Sequence, residues 1–343
     1  MIIRPAYFGV RPAMMAIAPS FTALYQPTLP LPESLRGSVV AIGNFDGMHR
    51  GHQAVLEDAV QEARASGLKA VMLTFEPHPR TVFRPEAPVF RLTPHAEKAH
   101  IARAIGLDAM VSLAFTPEFS SQSPDRFIED MLLGAFGAHN VISGYDFHFG
   151  KDRAGTPDYL RAQGLARGFG VTIVDMRADR SGDAVSSTRI RQALEDGALN
   201  PANQLLGYRH FLTGTVVHGE KNGRKLGYPT ANMKLPLNSR LCEGVYAVKL
   251  VRQDGSLHNG VASFGRRPMF DNGPRVFEVH IFDFNEDLYG EEVRVALYGY
   301  LRGEARFDNL DGLIAQMDQD SAQARGILSH SKPLSELEER LWG

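Results

Sequence analysis

The two halves of the chain differ in the period at which their apolar residues recur. Between residues 39 and 177, short apolar runs alternate with longer segments whose apolar residues recur with a helical period. Strands and helices in alternation are typical of a parallel sheet covered by helices, which binds ligands beyond the carboxyl ends of its strands. The predicted strands are residues 39–45, 70–75, 109–114, 141–143 and 171–175, and the predicted helices are residues 54–65, 97–105, 125–136 and 158–166.

The second half of the chain has a different pattern. Beyond residue 201, runs rich in Val, Tyr and Phe follow one another across glycine turns, without helices between them. Consecutive strands of this kind predict an antiparallel β-barrel or sandwich. The predicted strands are residues 213–217, 245–252, 261–264, 275–284 and 292–300, and a helix over residues 310–328 is expected to pack on the outside.

A length of 343 residues is sufficient for two domains. We expect an α/β domain over residues 21–200 and a strand-rich domain over residues 203–343, with the boundary near residues 198–208. Residues 1–20 are interrupted by prolines, and their longest apolar stretch is too short for a signal peptide. They are therefore predicted to form a disordered extension, or to precede a true start at Met14 or Met15, and export is not expected.

The composition argues against several classes of partner. A formal net charge of -2 provides no field that would draw the protein onto nucleic acid or an anionic membrane. No apolar run approaches the roughly 20 residues of a membrane span. The single cysteine, Cys242, cannot form an intrachain disulfide and has no Cys/His cluster near it for zinc. We expect a cytoplasmic protein, a monomer or weak homo-oligomer, with no nucleic-acid or membrane partner.

A phosphate-binding motif is predicted where the first strand meets the first helix. Residues 43–52 read Gly-Asn-Phe-Asp-Gly-Met-His-Arg-Gly-His. The exposed N–H groups and the positive dipole end of a helix start attract an anion, and glycine lets the backbone approach it closely. His49 and His52 stand three residues apart, so both can face one phosphate chain and stabilise its developing charge. The candidate ATP-binding residues of this string are Gly43, Asn44, Phe45, Asp46 and Gly51.

This string resembles the His-x-Gly-His signature of the nucleotidyltransferase superfamily, whose members attack ATP at its α-phosphate and release pyrophosphate. The resemblance implies an α/β Rossmann-like nucleotidyltransferase domain with a second anchor late in the domain, and Val-Ser-Ser-Thr-Arg-Ile-Arg at residues 185–191 fits that anchor. Ser186, Ser187 and Thr188 would cap a helix start, and Arg189 would neutralise phosphates. Taken alone, Ser186 and Ser187 are also explained as simple N-caps. The absence of a Lys-Met-Ser-Lys-Ser string and of a Walker A loop disfavours class I aminoacyl-tRNA synthetases and P-loop enzymes.

Two further loops narrow the resemblance. Thr-Phe-Glu-Pro-His-Pro at residues 74–79 follows the second strand, and Gly-Tyr-Asp-Phe-His-Phe-Gly at residues 144–150 follows the fourth. With the strings above, they resemble the flavin-specific branch, which is the adenylyltransferase half of bacterial FAD synthetases. Phe75, His78 and Asp146 are interpreted as flavin-contacting or site-lining rather than catalytic, and a plain loop role is the alternative for His78 and Asp146.

A second motif opens the strand-rich half. Residues 219–232 read Gly-Glu-Lys-Asn-Gly-Arg-Lys-Leu-Gly-Tyr-Pro-Thr-Ala-Asn, in which Gly219, Gly223 and Gly227 would let a loop fold over the phosphates of ATP. Thr230 and Asn232 offer two neutral oxygens, which suffice for a magnesium ion whose other ligands are phosphates and water. This string resembles riboflavin kinases, and the resemblance continues through residues 244–248, 260–262, 267–268, 278–284 and 287–290. It implies that Glu278 is the catalytic carboxylate.

Together the resemblances cover residues 34–328 and imply a bifunctional bacterial FAD synthetase, with an antiparallel β-barrel riboflavin kinase domain and a C-terminal helix following the first domain. Riboflavin would become FMN and then FAD, each step using one ATP with magnesium as cofactor. The expected partners are these small molecules. Ser263 and Met269 depart from the common Asn and Thr of the kinase family, so one alternative makes the second domain a non-catalytic flavin-binding module. Another alternative is a nucleotide sensor without turnover.

Overall fold

The computed structural model describes residues 22–25, 31–179, 181–219, 228–236, 238–266 and 275–342. Gly223, Gly227 and Met269 lie outside the described residues, as does the extension predicted over residues 1–20. In the part of the chain that is described, no helix is long and apolar enough to cross a membrane.

The first half forms a six-stranded parallel sheet with the strand order β1-β4-β3-β2-β5-β6. Its central strands are buried along their whole length, because helices cover both faces, and such strands read as continuous apolar runs. The predicted α/β class is therefore confirmed. The strands are β1 (Thr22–Tyr25), β2 (Val39–Ile42), β3 (Ala70–Glu76), β4 (Ala109–Ala114), β5 (Asn140–Gly144) and β6 (Gly170–Val174).

The four helices predicted for residues 54–65, 97–105, 125–136 and 158–166 are present, and the structure adds the unpredicted helices Pro79–Phe83, Pro117–Ser120 and Leu199–Leu206. The helix predicted over residues 125–136 begins as α5 and continues from Ile128–Ala135 as a π-helix. Short 3-10 turns occupy Glu33–Leu35 and Lys151–Arg153. The helices are α1 (Arg50–Ser66), α2 (Pro79–Phe83), α3 (His95–Ile105), α4 (Pro117–Ser120), α5 (Pro124–Phe127), α6 (Pro157–Arg167), α7 (Ser187–Glu195) and α8 (Leu199–Leu206).

The second half forms a closed antiparallel barrel with the strand order β10-β11-β8-β7-β12-β9, which confirms the predicted barrel. The long helix α9 (Leu310–Ser329) packs against β9, β10 and β12 from outside, and α10 (Glu336–Trp342) follows it. The strands are β7 (Phe211–Val217), β8 (Thr230–Met233), β9 (Gly244–Val251), β10 (Leu257–Gly265), β11 (Val276–Ile281) and β12 (Glu292–Arg302).

One buried apolar cluster continues from the α1 and α3 side of the sheet into the barrel interior. Helix α8 lies at this junction, where Asn203 accepts a hydrogen bond from the His210 N–H (2.8 Å) and donates one to the Leu297 carbonyl (3.1 Å). Helix α10 also packs against α3. The boundary expected near residues 198–208 therefore falls at a packed helix, and the domain limits remain a prediction.

Candidate active sites

The turn between β2 and α1, residues 43–49, has an unusual backbone. Phe45 (φ 46°), Gly47 (φ 87°) and Met48 (φ 37°) all adopt the left-handed region. That region is unfavourable for residues with a side chain, so surrounding contacts must hold Phe45 and Met48 there. Both side chains are fully buried, which supplies part of that restraint. We call this segment the β2–α1 turn.

Hydrogen bonds from side chains supply the rest. The carbonyls of residues 44 to 48 each accept at least one such bond from the protein interior. In chain order, the donors are Lys98 (3.0 Å) and Thr74 (3.0 Å), Thr93 (3.3 Å), Ser187 (2.7 Å), Tyr208 (2.7 Å) and Gln53 (2.8 Å). In a trans peptide the N–H points away from the carbonyl, so carbonyls turned inward can direct the following N–H groups outward, as in anion-binding backbone nests. The Asp46–Gly47 peptide is an exception, because the Gly47 N–H donates to Thr93 Oγ1 at 2.8 Å.

The two histidines of the motif form a stacked pair at the start of α1. His49 is the N-cap, and its Nδ1 accepts a hydrogen bond from the His52 N–H (3.3 Å). The ring centroids lie 3.7 Å apart with 15° between the planes. A Cβ on Gly51 would lie 3.3 Å from the His49 ring, so glycine gives this ring its room.

The charge state of the pair follows from its surroundings. Burial lowers the pKa of His49 to about 4, and burial together with His49 lowers the pKa of His52 well below its usual value. Both rings are therefore neutral at neutral pH. Because Nδ1 of His49 accepts a bond, its proton lies on Nε2, which can donate to a ligand oxygen.

Asp46 ties the turn to two distant segments. Its carboxylate accepts hydrogen bonds from the N–H groups of Leu92 and Thr93, both at 3.0 Å, and pairs with Arg191 of α7. Although burial alone would raise it, the charges of Arg91, Arg191 and Lys98 keep the pKa of Asp46 below its usual range. Asp46 therefore acts in this structure as a buried anchor and not as a proton donor.

A buried charge cluster extends behind the turn. Lys98, fully buried on α3, lies 3.5 Å from Glu76, which also pairs with Arg91. Burial, followed by the Arg91 charge, lowers the pKa of Lys98 to about 8. With Asp46 and Arg191 the cluster holds two carboxylates and three cations, so it carries excess positive charge beside a turn suited to anions. Lys98, Arg91 and Glu76 were not predicted from the sequence as parts of this site.

The two arginines of the second anchor take different positions. Arg189 contacts Asp179 at 2.5 Å and donates to the Ala184 carbonyl at 2.8 Å, so it is held within the loop before α7. Arg191 reaches the β2–α1 turn through Asp46. Ser186 caps α7 by accepting from the Arg189 N–H (3.4 Å), Ser187 contacts the turn, and Thr188 is exposed in the first turn of α7.

An aromatic cavity of about 990 Å³ begins beside Asn44. Phe75 and His78 line it, and burial lowers the pKa of His78 to about 4. Asp146 is exposed on a neighbouring loop and is not among the residues that line the cavity. A planar aromatic ligand with an anionic end suits such a cavity. Its other aromatic residues are Phe83, Phe115, Phe119, Phe127, Phe147 and Phe149, and its basic residues are Arg80, Arg84, Lys151 and Arg153.

The barrel brings the second group of candidates onto neighbouring strands. Glu278 on β11 lies opposite Asn232 on β8 and opposite Ser263 on β10. Phe277 and Val279, its neighbours along the strand, are buried in the barrel, so Glu278 and Asn232 share the outer face. Directly opposite residues of paired strands are close enough to act on one ligand.

Thr230 and Asn232 could hold a magnesium ion. Their side chains approach to 3.5 Å (Asn232 Nδ2 to Thr230 Oγ1), and a hydroxyl and an amide supply neutral oxygens. Across the described ranges no group of three His, Cys, Asp or Glu side chains could hold a metal by itself. A cavity of about 260 Å³ reaches Thr230 and is also lined by Val279 and Tyr289.

Gly219 packs directly on this pair. A Cβ at this position would lie 2.6 Å from Nδ2 of Asn232 and 2.7 Å from its Cγ and Oδ1. Glycine is therefore required for the close approach of the residue 219 backbone to the Asn232 amide.

Comparison with known protein families assigns each half of the chain to a family. A family model described as FAD synthetase matches residues 31–189, and one described as riboflavin kinase matches residues 206–328. The α/β half is thus of the FAD synthetase class and the barrel of the riboflavin kinase class. The chain belongs to the family of bifunctional riboflavin kinases/FMN adenylyltransferases, as the motifs predicted.

Relatives with that name cover most of the chain. The protein of Listeria monocytogenes is 41% identical over 294 residues, which are 85% of this chain and 92% of the relative. That of Escherichia coli K12 is 37% identical over 297 residues, which are 87% and 95% of the two chains. A solved chain named a macrolide-efflux protein from Streptococcus pneumoniae has a TM-score of 0.77 and 33% identity, and the match covers 89% of this chain and 99% of that one. The whole two-part architecture is therefore shared with a solved structure.

Proposed function

We propose that this chain phosphorylates riboflavin to FMN and adenylylates FMN to FAD, consuming one ATP in each step. The observation that carries this proposal is that both matched families fall on one chain, each over its own candidate site. The relatives that carry both activities in their name match the chain across both halves.

For adenylyl transfer, the aromatic cavity would take the flavin ring and the β2–α1 turn would take the phosphates of ATP. An FMN phosphate oxygen attacks the α-phosphorus, the bond to the β-phosphate oxygen breaks, and pyrophosphate leaves. Because FMN phosphate is already an anion, this step needs alignment and charge stabilisation more than a base. His49 and His52 would donate hydrogen bonds to phosphate oxygens, and the cationic excess around Lys98 and Arg191 favours that charge.

For phosphorylation, Glu278 would take the proton of the terminal ribityl hydroxyl. The hydroxyl oxygen would attack the γ-phosphorus of ATP as ADP leaves. A hydroxyl is a poor nucleophile at neutral pH, so a positioned carboxylate is useful here. Thr230 and Asn232 would hold magnesium, which when bound neutralises phosphate charge. The cross-strand pairing of Glu278 with Asn232 supports bringing base and phosphates together.

Incubation of the purified protein with riboflavin, ATP and magnesium, followed by chromatographic separation of flavins, tests this proposal. We expect FMN to appear first and FAD after it. FAD from supplied FMN but no FMN from riboflavin would instead support a non-catalytic flavin-binding barrel. Formation of neither product would contradict the proposal and would leave a nucleotide sensor as the better description.

The two arginines of α7 give a prediction for the first site. Arg191→Gln should lower adenylylation at least 100-fold and also lower the melting temperature, because Asp46 loses a buried partner. Arg189→Gln is the matched change on the same helix and leaves the turn intact. If Arg189 moves to the phosphates during the reaction, Arg189→Gln should lower the kcat of adenylylation without changing the melting temperature. Equal, small effects of both changes would contradict a role for this helix in phosphate binding.

Gly219→Ala gives a prediction for the second site. The added Cβ would displace the Asn232 amide, and we expect riboflavin phosphorylation to fall by about 10- to 100-fold, since small displacements of positioning groups have effects of that size. Adenylylation of supplied FMN should not change. Gly326→Ala in α9 is the matched control, because its Cβ would meet no atom within 4 Å. A kinase rate for Gly219→Ala equal to that of this control would contradict the proposed role of Asn232.

A further inference from the structure

The β2–α1 turn receives support from a segment that lies beyond the residues matched by the FAD synthetase model. This segment, residues 204–208, makes three contacts with the turn and α1. The Tyr208 hydroxyl donates to the Gly47 carbonyl at 2.7 Å. The Gln53 amide donates to both the Leu206 carbonyl (2.6 Å) and the Met48 carbonyl (2.8 Å), and Arg50 Nε donates to the Gln204 carbonyl (2.9 Å).

The same segment is fixed on its other side by the second half of the chain. Asn203 joins it to the barrel strands, as described above. The Ser335 hydroxyl, just before α10, donates to the Gly207 carbonyl at 2.7 Å. Gly207 has φ 81°, and a Cβ there would lie 3.2 Å from Arg50, so glycine suits both the backbone conformation and the close approach to α1. Segment 204–208 is thus held between the barrel, the C-terminal region and the turn.

The Tyr208 hydroxyl binds the β2–α1 turn at the Gly47–Met48 peptide, directly before His49. Gly47 lies between Phe45 and Met48, which have positive φ, and it is two residues before His49. With the Gly47 carbonyl held inward, the Met48 N–H of the same peptide points the opposite way. Rotation of this peptide would move both an N–H of the turn and the N-cap histidine.

Tyr208 is suited to a permanent donor role. Its side chain is 1% exposed, and burial, followed by the charges of Asp46 and Glu97, raises its pKa well above the usual value. The hydroxyl therefore stays protonated, and Gly47 is buried, which limits the access of water to its carbonyl. Loss of the donor would leave a buried acceptor unpaired, which favours another orientation of the peptide.

We propose that Tyr208 is a positioning residue for adenylyl transfer, supplied to the adenylyltransferase site by the segment that begins the riboflavin kinase half. This inference rests on the proposed function of the first site. Tyr208 touches no reacting atom; it acts through the orientation of the Gly47–Met48 peptide and His49. Adenylyl transfer accordingly depends on a residue that a match to residues 31–189 does not contain.

Tyr208→Phe tests the inference, because it removes one oxygen and keeps the ring in the core. We expect kcat for FMN adenylylation to fall about tenfold, the size that follows from an unpaired buried carbonyl near reacting groups. Riboflavin phosphorylation by the same preparation should stay at the rate of the unchanged protein. Tyr246→Phe is the matched control: Tyr246 is equally buried and donates to the Cys242 carbonyl, away from the turn, so adenylylation should be unaffected.

An adenylylation kcat within twofold of the unchanged protein would overturn the inference, whatever the melting temperature. A proportional loss of both activities would also overturn it, since that is the result of a merely structural role. If Tyr208→Phe does not fold, Gln53→Leu removes the donor to the Met48 carbonyl and is judged by the same two outcomes. Failure of the unchanged protein to make FAD from FMN is measured first and would instead overturn the proposed function.

Discussion

Replacement of both His49 and His52 by Ala is expected to abolish FMN adenylylation while riboflavin phosphorylation continues at its original rate. The stacked rings lie at the N-terminus of α1 and are neutral, so their loss removes the two groups that we propose stabilise phosphate charge. Removal of one such donor typically lowers the rate about 100- to 1,000-fold, so each single replacement should also be visible. Both half-reactions are measured with supplied FMN or riboflavin.

His330→Ala serves as the control for this experiment. His330 is an exposed residue at the end of α9, so its replacement should leave both activities unchanged. Loss of both activities in a folded double variant would show that the two sites are not separate. Adenylylation close to the original rate would remove the histidine pair from the mechanism.

Glu278→Gln should lower kcat for riboflavin phosphorylation by roughly the 100- to 10,000-fold typical of a lost general base. Glutamine keeps the shape and can still form hydrogen bonds, so riboflavin binding should change little. Adenylylation of supplied FMN should be unaffected, because that reaction uses an ionised nucleophile at the other site. Both rates and the melting temperature are measured for the same preparation.

Glu292→Gln is the matched control for Glu278→Gln. Glu292 also lies on a strand of the barrel, but that strand is β12, which pairs with β7. If Glu278 only stabilised the barrel surface, it would behave like this control, with a change of about 0 to 1 kcal/mol in unfolding free energy and near-normal kinetics. A kinase rate for Glu278→Gln within a few fold of the unchanged protein would therefore exclude it as the base.

The sequence predicted most of the strands because their environments leave a clear pattern. Strands β2 and β3 are buried throughout; β2 is entirely apolar and β3 is apolar except for Thr74 and Glu76, whereas the barrel strands alternate. Strand β8 was missed because it has four residues, two of them the polar Thr230 and Asn232. Helix α8 was missed because its eight residues include Pro201 near its start, where the sequence resembles a linker.

The candidate sites could be predicted only where their residues are close together in the sequence. The histidine string indicated its turn, but Lys98 is 52 residues from Asp46, and nothing local shows that its side chain points inward. Arg189 and Arg191 stand two apart on α7, so they point in nearly opposite directions and only one can face the turn. The sequence could not decide which, because the choice depends on the partners Asp179 and Asp46, which come from other segments.

Mixing two variants, each of which lacks one of the two activities, tests whether one chain carries two separate active sites for successive reactions. The His49→Ala/His52→Ala variant should convert riboflavin only to FMN, and Glu278→Gln should make almost no FMN. Neither variant alone should produce FAD from riboflavin with ATP and magnesium. We expect an equimolar mixture to produce FAD after a lag in which FMN accumulates, because the first variant supplies the substrate of the second. Absence of FAD from the mixture, when both proteins are folded and Glu278→Gln adenylylates supplied FMN, would contradict the proposal of two separate active sites.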